Sequence, residues 1–182
     1  MRLFRRRTPD FVVVEIAGQR LTLPKNASAR MERDVAKLNP LASSLCDYWH
    51  TNRGDGGVPD RSSFDPLRLK PWLGFLSVYE FDNRRGDFRN RLEGSFVVDL
   101  TGENWTGRYA SEVDDRFDSN FLAELREVLG AGRPSVDLIQ IYQNDFGVAV
   151  RVLLPVASRP GAAANQVFVA IFANMLNLKR DS

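Results

Sequence analysis

The segment WLGFLSVYEFDNRRGDFRNRLEG, residues 72–94, decides the fold that the sequence predicts. Trp72–Phe81 is rich in aromatic and β-branched residues, which is typical of a strand. Asn83–Asp87 is charged and contains a glycine, so it predicts a turn. Phe88–Gly94 alternates apolar and polar residues and predicts a returning strand. The segment therefore predicts an antiparallel β-hairpin.

The chain after this hairpin predicts helices followed by three more strands. Phe96–Leu100 and the glycines beyond it indicate short irregular helices. Phe117–Leu129 carries apolar residues at every fourth position and predicts an amphipathic helix. Strands are predicted at Ser135–Gln143, Phe146–Ala157 and Gln166–Leu176. Two strands, then helices, then three strands favour an α+β fold with an antiparallel sheet over a parallel one.

The chain before the hairpin is helical in its periodicity. Across 30–53, apolar residues recur every three or four positions and form one stripe, made of Met31, Val35, Leu38, Leu41, Leu45 and Trp49. Asn39-Pro40 interrupts it, and because Asn is a good cap and Pro suits a first helical position, a new helix is predicted to start at Pro40. The stripe must be buried against the chain's own sheet or against another chain, and it gives the candidate interface of a homodimer.

Asp65-Pro66 predicts a capped helical turn that ends at Pro71. Near the N-terminus, Phe11–Ile16 and Arg20–Leu23 predict a short hairpin. We therefore expect a basic N-terminal tail with this hairpin over residues 1–29 and one domain over residues 30–178.

Composition narrows the range of functions. The net charge of the chain is +2, and the first seven residues contain four arginines. The rest of the chain therefore has a net negative charge, and we do not expect it to bind nucleic acid. The arginine tail is either a solvated end or a contact for an acidic surface. No apolar run is long enough to cross a membrane and no secretory signal is recognisable, which favours a cytoplasmic protein without membrane insertion.

The run from Tyr48 to Gly107 resembles a bacterial, chiefly alphaproteobacterial, single-domain PAS family of largely unknown function. The resemblance lies in short motifs that hold their order and spacing: Tyr48-Trp49, Arg53, Pro59-Asp60-Arg61, Asp65-Pro66, Phe88-Arg89-Asn90-Arg91-Leu92-Glu93-Gly94 and Gly102-Glu103-Asn104-Trp105-Thr106-Gly107. It covers roughly residues 40 to 177. It implies a PAS-like five-stranded antiparallel sheet with helices between strands 2 and 3 and an N-terminal flanking helix.

The chemistry-bearing residues are few. Cys46 and His50, each the only one of its type, lie four residues apart on one predicted helix face. They form either a nucleophile pair without an orienting acid or, as we favour, a buried thiol beside an unrelated histidine. No metal site is expected, because zinc sites built on Cys and His need more ligands. Haem would need His50, which is predicted to lie outside the pocket. Photosensory flavin domains resemble one another around an Asn-Cys pair, and Asn104 has no such cysteine, so covalent flavin is not expected either.

The pocket of the predicted fold would lie between the sheet and the helices of 96–129. Its candidate lining consists of aromatic residues with polar anchors: Phe75, Arg89, Phe96, Asn104, Trp105, Tyr109, Phe121, Tyr142 and Phe168. The alternative is that the aromatic residues only pack the core. Asp65 is expected to form an ion pair with Arg89 or Arg91, and the alternative is that these arginines bind a ligand.

Three functions remain open. The first is a stand-alone PAS sensory domain that binds a small ligand and signals through contacts with a protein partner. The second is a ligand-free docking module. The third is a small enzyme of related α+β shape that would use Asp99, Asp137 or Asp145. We expect the first and no enzymatic activity.

Overall fold

The helix that covers the sheet begins where the sequence predicts. A computed structural model describes residues 11–16, 19–24, 35–37, 39–55, 57–141 and 147–173 of the chain. Helix α1 spans Pro40–Asn52, and the Asn39 side chain accepts hydrogen bonds from the backbone N–H groups of Leu41 and Ala42, at 2.9 and 3.2 Å. This cap satisfies donors that have no partner inside the helix. The predicted start at Pro40 is confirmed.

Strands β1 (Phe11–Ile16) and β2 (Gln19–Pro24) pair as a separate antiparallel hairpin. The main sheet has five antiparallel strands in the order β4-β3-β7-β6-β5. Their bounds are Leu76–Asp82 (β3), Asp87–Leu92 (β4), Ser135–Ile141 (β5), Gly147–Ala157 (β6) and Ala164–Ala173 (β7). The predicted α+β class, with a five-stranded antiparallel sheet, is confirmed.

Two predicted strand starts differ from the structure by two residues or more. β3 begins at Leu76 and not at Trp72, because Leu73–Phe75 forms a 3₁₀ helix. β7 begins at Ala164, two residues before the predicted start. A 3₁₀ helix at Arg61–Phe64, capped by the Asp60 carboxylate, was not predicted. The turn after it is capped by Asp65 as expected, since the Asp65 carboxylate accepts from the N–H groups of Leu67 and Arg68.

Three helices lie between β4 and β5: α2 (Ser95–Thr101), α3 (Ala110–Phe117) and α4 (Phe121–Ala131). The prediction of one helix over Phe117–Leu129 is wrong, because Phe117 ends α3. Asp118 then takes a left-handed conformation with φ 52°. The Asp114 carboxylate accepts from the N–H groups of Phe121 and Leu122 and so caps the next helix from the preceding one.

Successive residues of each strand pack into two different cores. Phe168, Ala170 and Phe172 of β7 lie in the core that contains α1, on the side called here the outer face. Val167 and Val169 lie in the core that contains α4, on the inner face. The period of two along a strand produces this division. The sheet is therefore covered on both faces. Helix α4 covers the inner face, whereas Phe96 of α2 stacks on Phe75, which packs against the outer core.

Candidate functional site

A cluster of polar side chains lies at the β3–β4 end of the inner face, with Ser77 and Asn90 buried and Glu93 partly buried. Asn90 of β4 is 1% exposed, and its amide nitrogen donates a hydrogen bond to the Glu93 carboxylate. Ser77 of β3 also hydrogen bonds to Glu93. Glu93 lies in the connection between β4 and α2, so the cluster is located where the edge of the sheet leads into that helix.

The Glu93 carboxyl group is held in a neutral environment. Burial raises its pKa from 4.5 to about 7, and the hydrogen bonds from Asn90 and Ser77 oppose this rise only in part. Burial also raises the pKa of the neighbouring Tyr79, and the charge of Glu93 adds to that effect. A carboxyl group without a cationic partner loses hydration that hydrogen bonds alone do not replace. Glu93 can therefore exchange a proton near neutral pH.

In the part of the chain that the structure describes, two buried polar atoms on neighbouring segments lack a partner in good hydrogen-bond geometry, although the Asn90 side chain also interacts with the Tyr79 hydroxyl. They are the Asn90 side-chain oxygen and the indole N–H of Trp105, whose side chain is 4% exposed. Residues 105–108 run beside β4, since Gly107 N donates to Asn90 O and Asn90 N donates to Arg108 O, both at 2.8 Å. Each such group costs about 1–3 kcal/mol when it is left unsatisfied. The two atoms thus offer one acceptor and one donor beside the same strand.

The other end of the inner face carries a buried ion-pair group. The Arg151 guanidinium of β6 donates to the Asp137 carboxylate of β5 at 3.0 Å and to the Glu124 carboxylate of α4 at 2.6 Å. Burial acts to lower the pKa of Arg151, but the two carboxylates outweigh it and the pKa is raised. Burial raises the pKa of Glu124 although Arg151 opposes this. The group attaches α4 to the sheet, and its bonds are satisfied within the chain.

The structure does not bring all the predicted pocket residues together. Phe121 lies on the inner face, where its ring meets Tyr79 at 5.0 Å. Phe168 lies on the outer face against Phe64, also at 5.0 Å. One inner-face cavity cannot contain both phenylalanines. Trp105 is buried near Phe117, at 5.8 Å between ring centroids.

The remaining candidates lie at the margins. Phe96 is 54% exposed and stacks on Phe75 at 4.7 Å. Tyr109 donates to Asp82 at 3.1 Å, at the edge of the hairpin. Asn104 is exposed and accepts from Thr106 N. Arg89 is exposed on the outer side of β4, and Tyr142 lies outside the described residues.

Sequence reasoning missed Asn90, Glu93 and Ser77 as candidate site residues. A signal for Asn90 exists in the alternation of β4, where Phe88 and Asn90 share a face and Arg89 points the other way. An uncharged polar residue two positions from a buried phenylalanine marks a buried polar position. Glu93 gives no comparable signal, because it follows the strand and only the fold buries it.

The proposed dimer stripe is largely occupied by the chain's own core. Val35, Leu45 and Trp49 are buried there, and Leu41 packs against the same core. The Trp49 indole N–H donates to Pro155 O of β6 at 2.8 Å. Met31 and Leu38 lie outside the described residues. Of the two alternatives, packing on its own sheet accounts for the described part of the stripe.

The ion pair expected between Asp65 and a β4 arginine is not formed. The Asp65 carboxylate pairs with Arg68 at 3.1 Å, because both lie in one turn. Of the three acids considered for catalysis, Asp137 is engaged by Arg151, Asp99 is exposed and Asp145 lies outside the described residues.

Cys46 and His50 both line a groove of about 550 Å³ between α1 and the start of β5. In the part of the chain that the structure describes, no three His, Cys, Asp or Glu side chains are grouped so as to hold a metal ion. None of the helices described there is long and apolar enough to span a bilayer.

The fold and the sequence together place the chain in a family. The sequence model of a family described as "PAS domain" matches residues 38–168. This is well over half of the chain, so the protein belongs to the PAS domain family. The predicted PAS resemblance is confirmed at that level, while a bacterial single-domain subfamily stays a prediction. No curated protein matches the chain.

Solved structures similar to the chain include light-sensing proteins. The LOV protein of Rhodobacter sphaeroides is 19% identical with a TM-score of 0.42, over 59% of this chain and 60% of that one. A fungal LOV domain photoreceptor is 17% identical with a TM-score of 0.40, over 54% and 73%. An RNA-binding Light-Oxygen-Voltage receptor is 18% identical with a TM-score of 0.42, over 64% and 36%. The chain thus spans less than two thirds of the Rhodobacter protein, and the likeness concerns the fold alone.

Proposed function

We propose that this PAS domain is a regulatory domain that senses a small ligand on the inner face of its sheet and passes the result to a protein partner. The binding position is the β4 end of that face, beside Asn90, Glu93 and Trp105. The single observation that carries the proposal is the pair of buried, unpartnered polar atoms on Asn90 and Trp105. A ligand that donates to the Asn90 oxygen and accepts from the Trp105 indole would satisfy both.

The surroundings support a ligand with a polar end. Ligand sites are mostly apolar with a few well-placed polar groups. Here Tyr79, Phe88 and Phe121 supply the apolar part of the inner face and Asn90, Glu93 and Ser77 supply the polar part. Arg89, Phe96 and Phe168 are not part of this proposed site, because they lie on the outer side or at the margin. We assign no catalytic step to any of these residues.

A ligand-free docking module is the second candidate. It is favoured by the close packing of the inner face, where Phe88, Leu125 and Val167 are completely buried. In that case the Asn90 oxygen and the Trp105 N–H stay without a partner and reduce the stability of the folded chain. The two candidates differ in whether a bound molecule accompanies the purified protein.

Native mass spectrometry tests the ligand directly. The protein is purified from its own or a related host, and its native mass is compared with its denatured mass. We expect a defined extra mass on the wild-type chain and its loss in Asn90→Leu. Gln166→Leu is the matched control, because Gln166 is also buried with an unpartnered side-chain oxygen but bonds to Glu80 on the outer face. A clean polypeptide mass for the wild type would reject the ligand and leave the docking module.

The homodimer also stays a proposal. The described stripe residues are already buried within one chain, so the contact would need residues before 35 or another surface. Light scattering on the intact chain and on a shortened chain that begins at Val35 tests it, since Val35 and Ala36 belong to the core. If the shortened chain is still a dimer, the interface lies outside residues 1–34. If both chains are monomers, the homodimer proposal is rejected. We also place the protein in the cytoplasm, which fractionation of the host cell tests.

A further inference from the structure

The outer side of the β3–β4 hairpin carries an arginine cluster that the ligand site does not use. Strands β3 and β4 change register between Val78 and Tyr79, so that Arg91 is an extra residue opposite β3. A β-bulge of this kind redirects side chains. Arg89 and Arg91, two positions apart on the strand, line one shallow hollow of about 310 Å³ together with Arg84, Glu80 and Asp82.

The carboxylates near this hollow are engaged by other groups. Glu80 accepts from the Gln166 side-chain nitrogen at 2.7 Å and also interacts with the charge of Arg61. Asp82 accepts from Arg84 N at 2.9 Å and from the Tyr109 hydroxyl at 3.1 Å. These bonds lower the pKa of Asp82, so it stays ionised and keeps its partners. Glu80 lies opposite Arg89 in the strand register, so the two acids offset part of the positive charge, and the three arginines of the hollow leave it with an excess of one positive charge.

Arg89 and Arg91 form no ion pair with any carboxylate among residues 57–141 and 147–173. The acid expected to pair with them, Asp65, is held by Arg68. Arg89 uses its Nε–H on Gly107 O at 3.2 Å, which fixes the base of its guanidinium group. Both side chains are exposed, and they lie on one strand of a rigid sheet. The result is a pair of exposed cationic groups, one of them held at its base by Gly107, in a hollow with a small excess of positive charge.

We propose that the outer side of the β3–β4 hairpin is a docking surface for an acidic segment of a partner protein. Its carboxylates would form bidentate pairs with Arg89 and Arg91, the geometry that guanidinium groups favour. The argument is charge complementarity on a shallow hollow, because an open surface suits a polypeptide better than an enclosed small molecule. The surface goes beyond the proposed ligand site and does not depend on it, although Asn90 lies between the two arginines.

The test uses a peptide of twelve residues in which Glu alternates with Gly, and the same peptide with Gln for Glu. Binding to the full chain is measured at low salt by titration calorimetry and by NMR shifts of backbone amides. We expect the Glu peptide alone to bind and to shift the amides of residues 84–92. Arg89→Glu with Arg91→Glu should weaken binding about tenfold or more, as expected when charge complementarity is reversed.

The matched control is Arg53→Glu with Arg159→Glu, which changes the net charge equally at exposed positions outside the hollow. This variant should weaken binding less than about threefold, through the long-range field alone. Equal weakening by both double variants would overturn the proposal. So would tight binding of inorganic phosphate without the peptide, because that defines a small-anion site. Circular dichroism and thermal unfolding verify that the variants fold, and Arg89→Gln with Arg91→Gln repeats the test without reversed charge.

Discussion

Both faces of the five-stranded sheet are buried, but they are buried by different chemistry. At its centre the outer face is apolar: Val150, Val152, Leu154, Phe168 and Phe172 are all at most 1% exposed and lie beneath α1. The inner face has a similar apolar centre, but it has a polar cluster at either end, around Asn90 and around Arg151. The outer face also buries a polar side chain, Gln166, which bonds to Glu80. Buried polar groups cost stability unless they are satisfied.

The difference separates a structural face from a candidate functional one. Apolar packing under α1 stabilises the fold in proportion to the area removed from water. The inner face gives up part of that stabilisation at Asn90, Glu93 and Trp105. Buried polar side chains that reduce the stability of the fold are therefore the candidates for ligand binding. The predictions below test that separation.

Replacing Trp49 should give the largest effect. Trp49→Ala removes the largest side chain between α1 and the outer face together with its hydrogen bond to Pro155, and we expect a loss of about 3–5 kcal/mol. Denaturant unfolding measures it. Leu67→Ala is the control, because Leu67 is 86% exposed and should change stability by less than about 0.5 kcal/mol. A cost for Trp49→Ala as small as the control's would show that α1 is not part of the cooperative core.

The second prediction concerns Arg151. Arg151→Met leaves the partly buried Asp137 carboxylate without its cation. We expect the free energy of unfolding to fall by about 3 kcal/mol. This is the lower end for a broken buried pair, because Glu124 is partly exposed. Adding Asp137→Leu should recover part of the loss, since the uncompensated charge is then removed. Comparison of the two unfolding free energies tests this. If the double variant is as unstable as the sum of its parts, the ion pair is not the reason for the loss.

The third prediction is a pH dependence that belongs to Glu93. Its pKa is about 7 in the folded chain and near 4.5 when unfolded, so the folded state binds the proton more tightly. The stability from this group is complete below about pH 4.5 and is lost as pH rises through 7, by about 2–3 kcal/mol. Ser77, Asn90 and Tyr79 face the carboxyl group, and they stay neutral over this range.

Glu93→Gln should remove that loss. The variant and the wild type should differ little at pH 5, and the variant should be the more stable at pH 8. Chemical unfolding at both pH values measures the difference, and Glu127→Gln on the exposed side of α4 serves as the control. An unchanged pH slope in Glu93→Gln would mean that the carboxyl group is hydrated in solution and that the cluster is not buried as described.

Local signals in the sequence predict most of the strands and the start of α1, but not which face of the sheet a buried residue joins. Asn39-Pro40 specifies a helix start through contacts within four residues, so it could be predicted. Residues 167–170 of β7 are all apolar and all buried, one set on each face. Alternation therefore carries no information about which face Phe168 joins. The sequence analysis predicts Phe168 on the pocket side, whereas it lies in the outer core.

The sequence analysis does not predict the break between α3 and α4 or the environment of Glu93. Each depends on contacts between residues that are not adjacent in the sequence. The spacing of Phe117 and Phe121 continues a helical stripe, but the Asp114 carboxylate caps α4 and ends that stripe. Glu93 follows β4 in the sequence, and it becomes a partly buried acid with Ser77 as a partner only because the fold brings β3 beside it. The candidate site was therefore only partly predictable: Trp105 and Phe121 were named, whereas Asn90 was not.

The smallest predicted effect is that of the Asn39 cap, which acts only at the start of α1. Asn39→Ala removes the acceptor for the N–H groups of Leu41 and Ala42 at the start of α1, and we expect a loss of about 1 kcal/mol. Asn39→Asp should retain nearly all the stability, because a carboxylate caps the same groups and suits the positive end of the helix dipole. Unfolding midpoints at pH 7 measure both variants. Because α1 covers only the outer face, neither variant should change the pH slope that Glu93 produces on the inner face. A changed slope would show that the two faces are coupled through the sheet and are not independent.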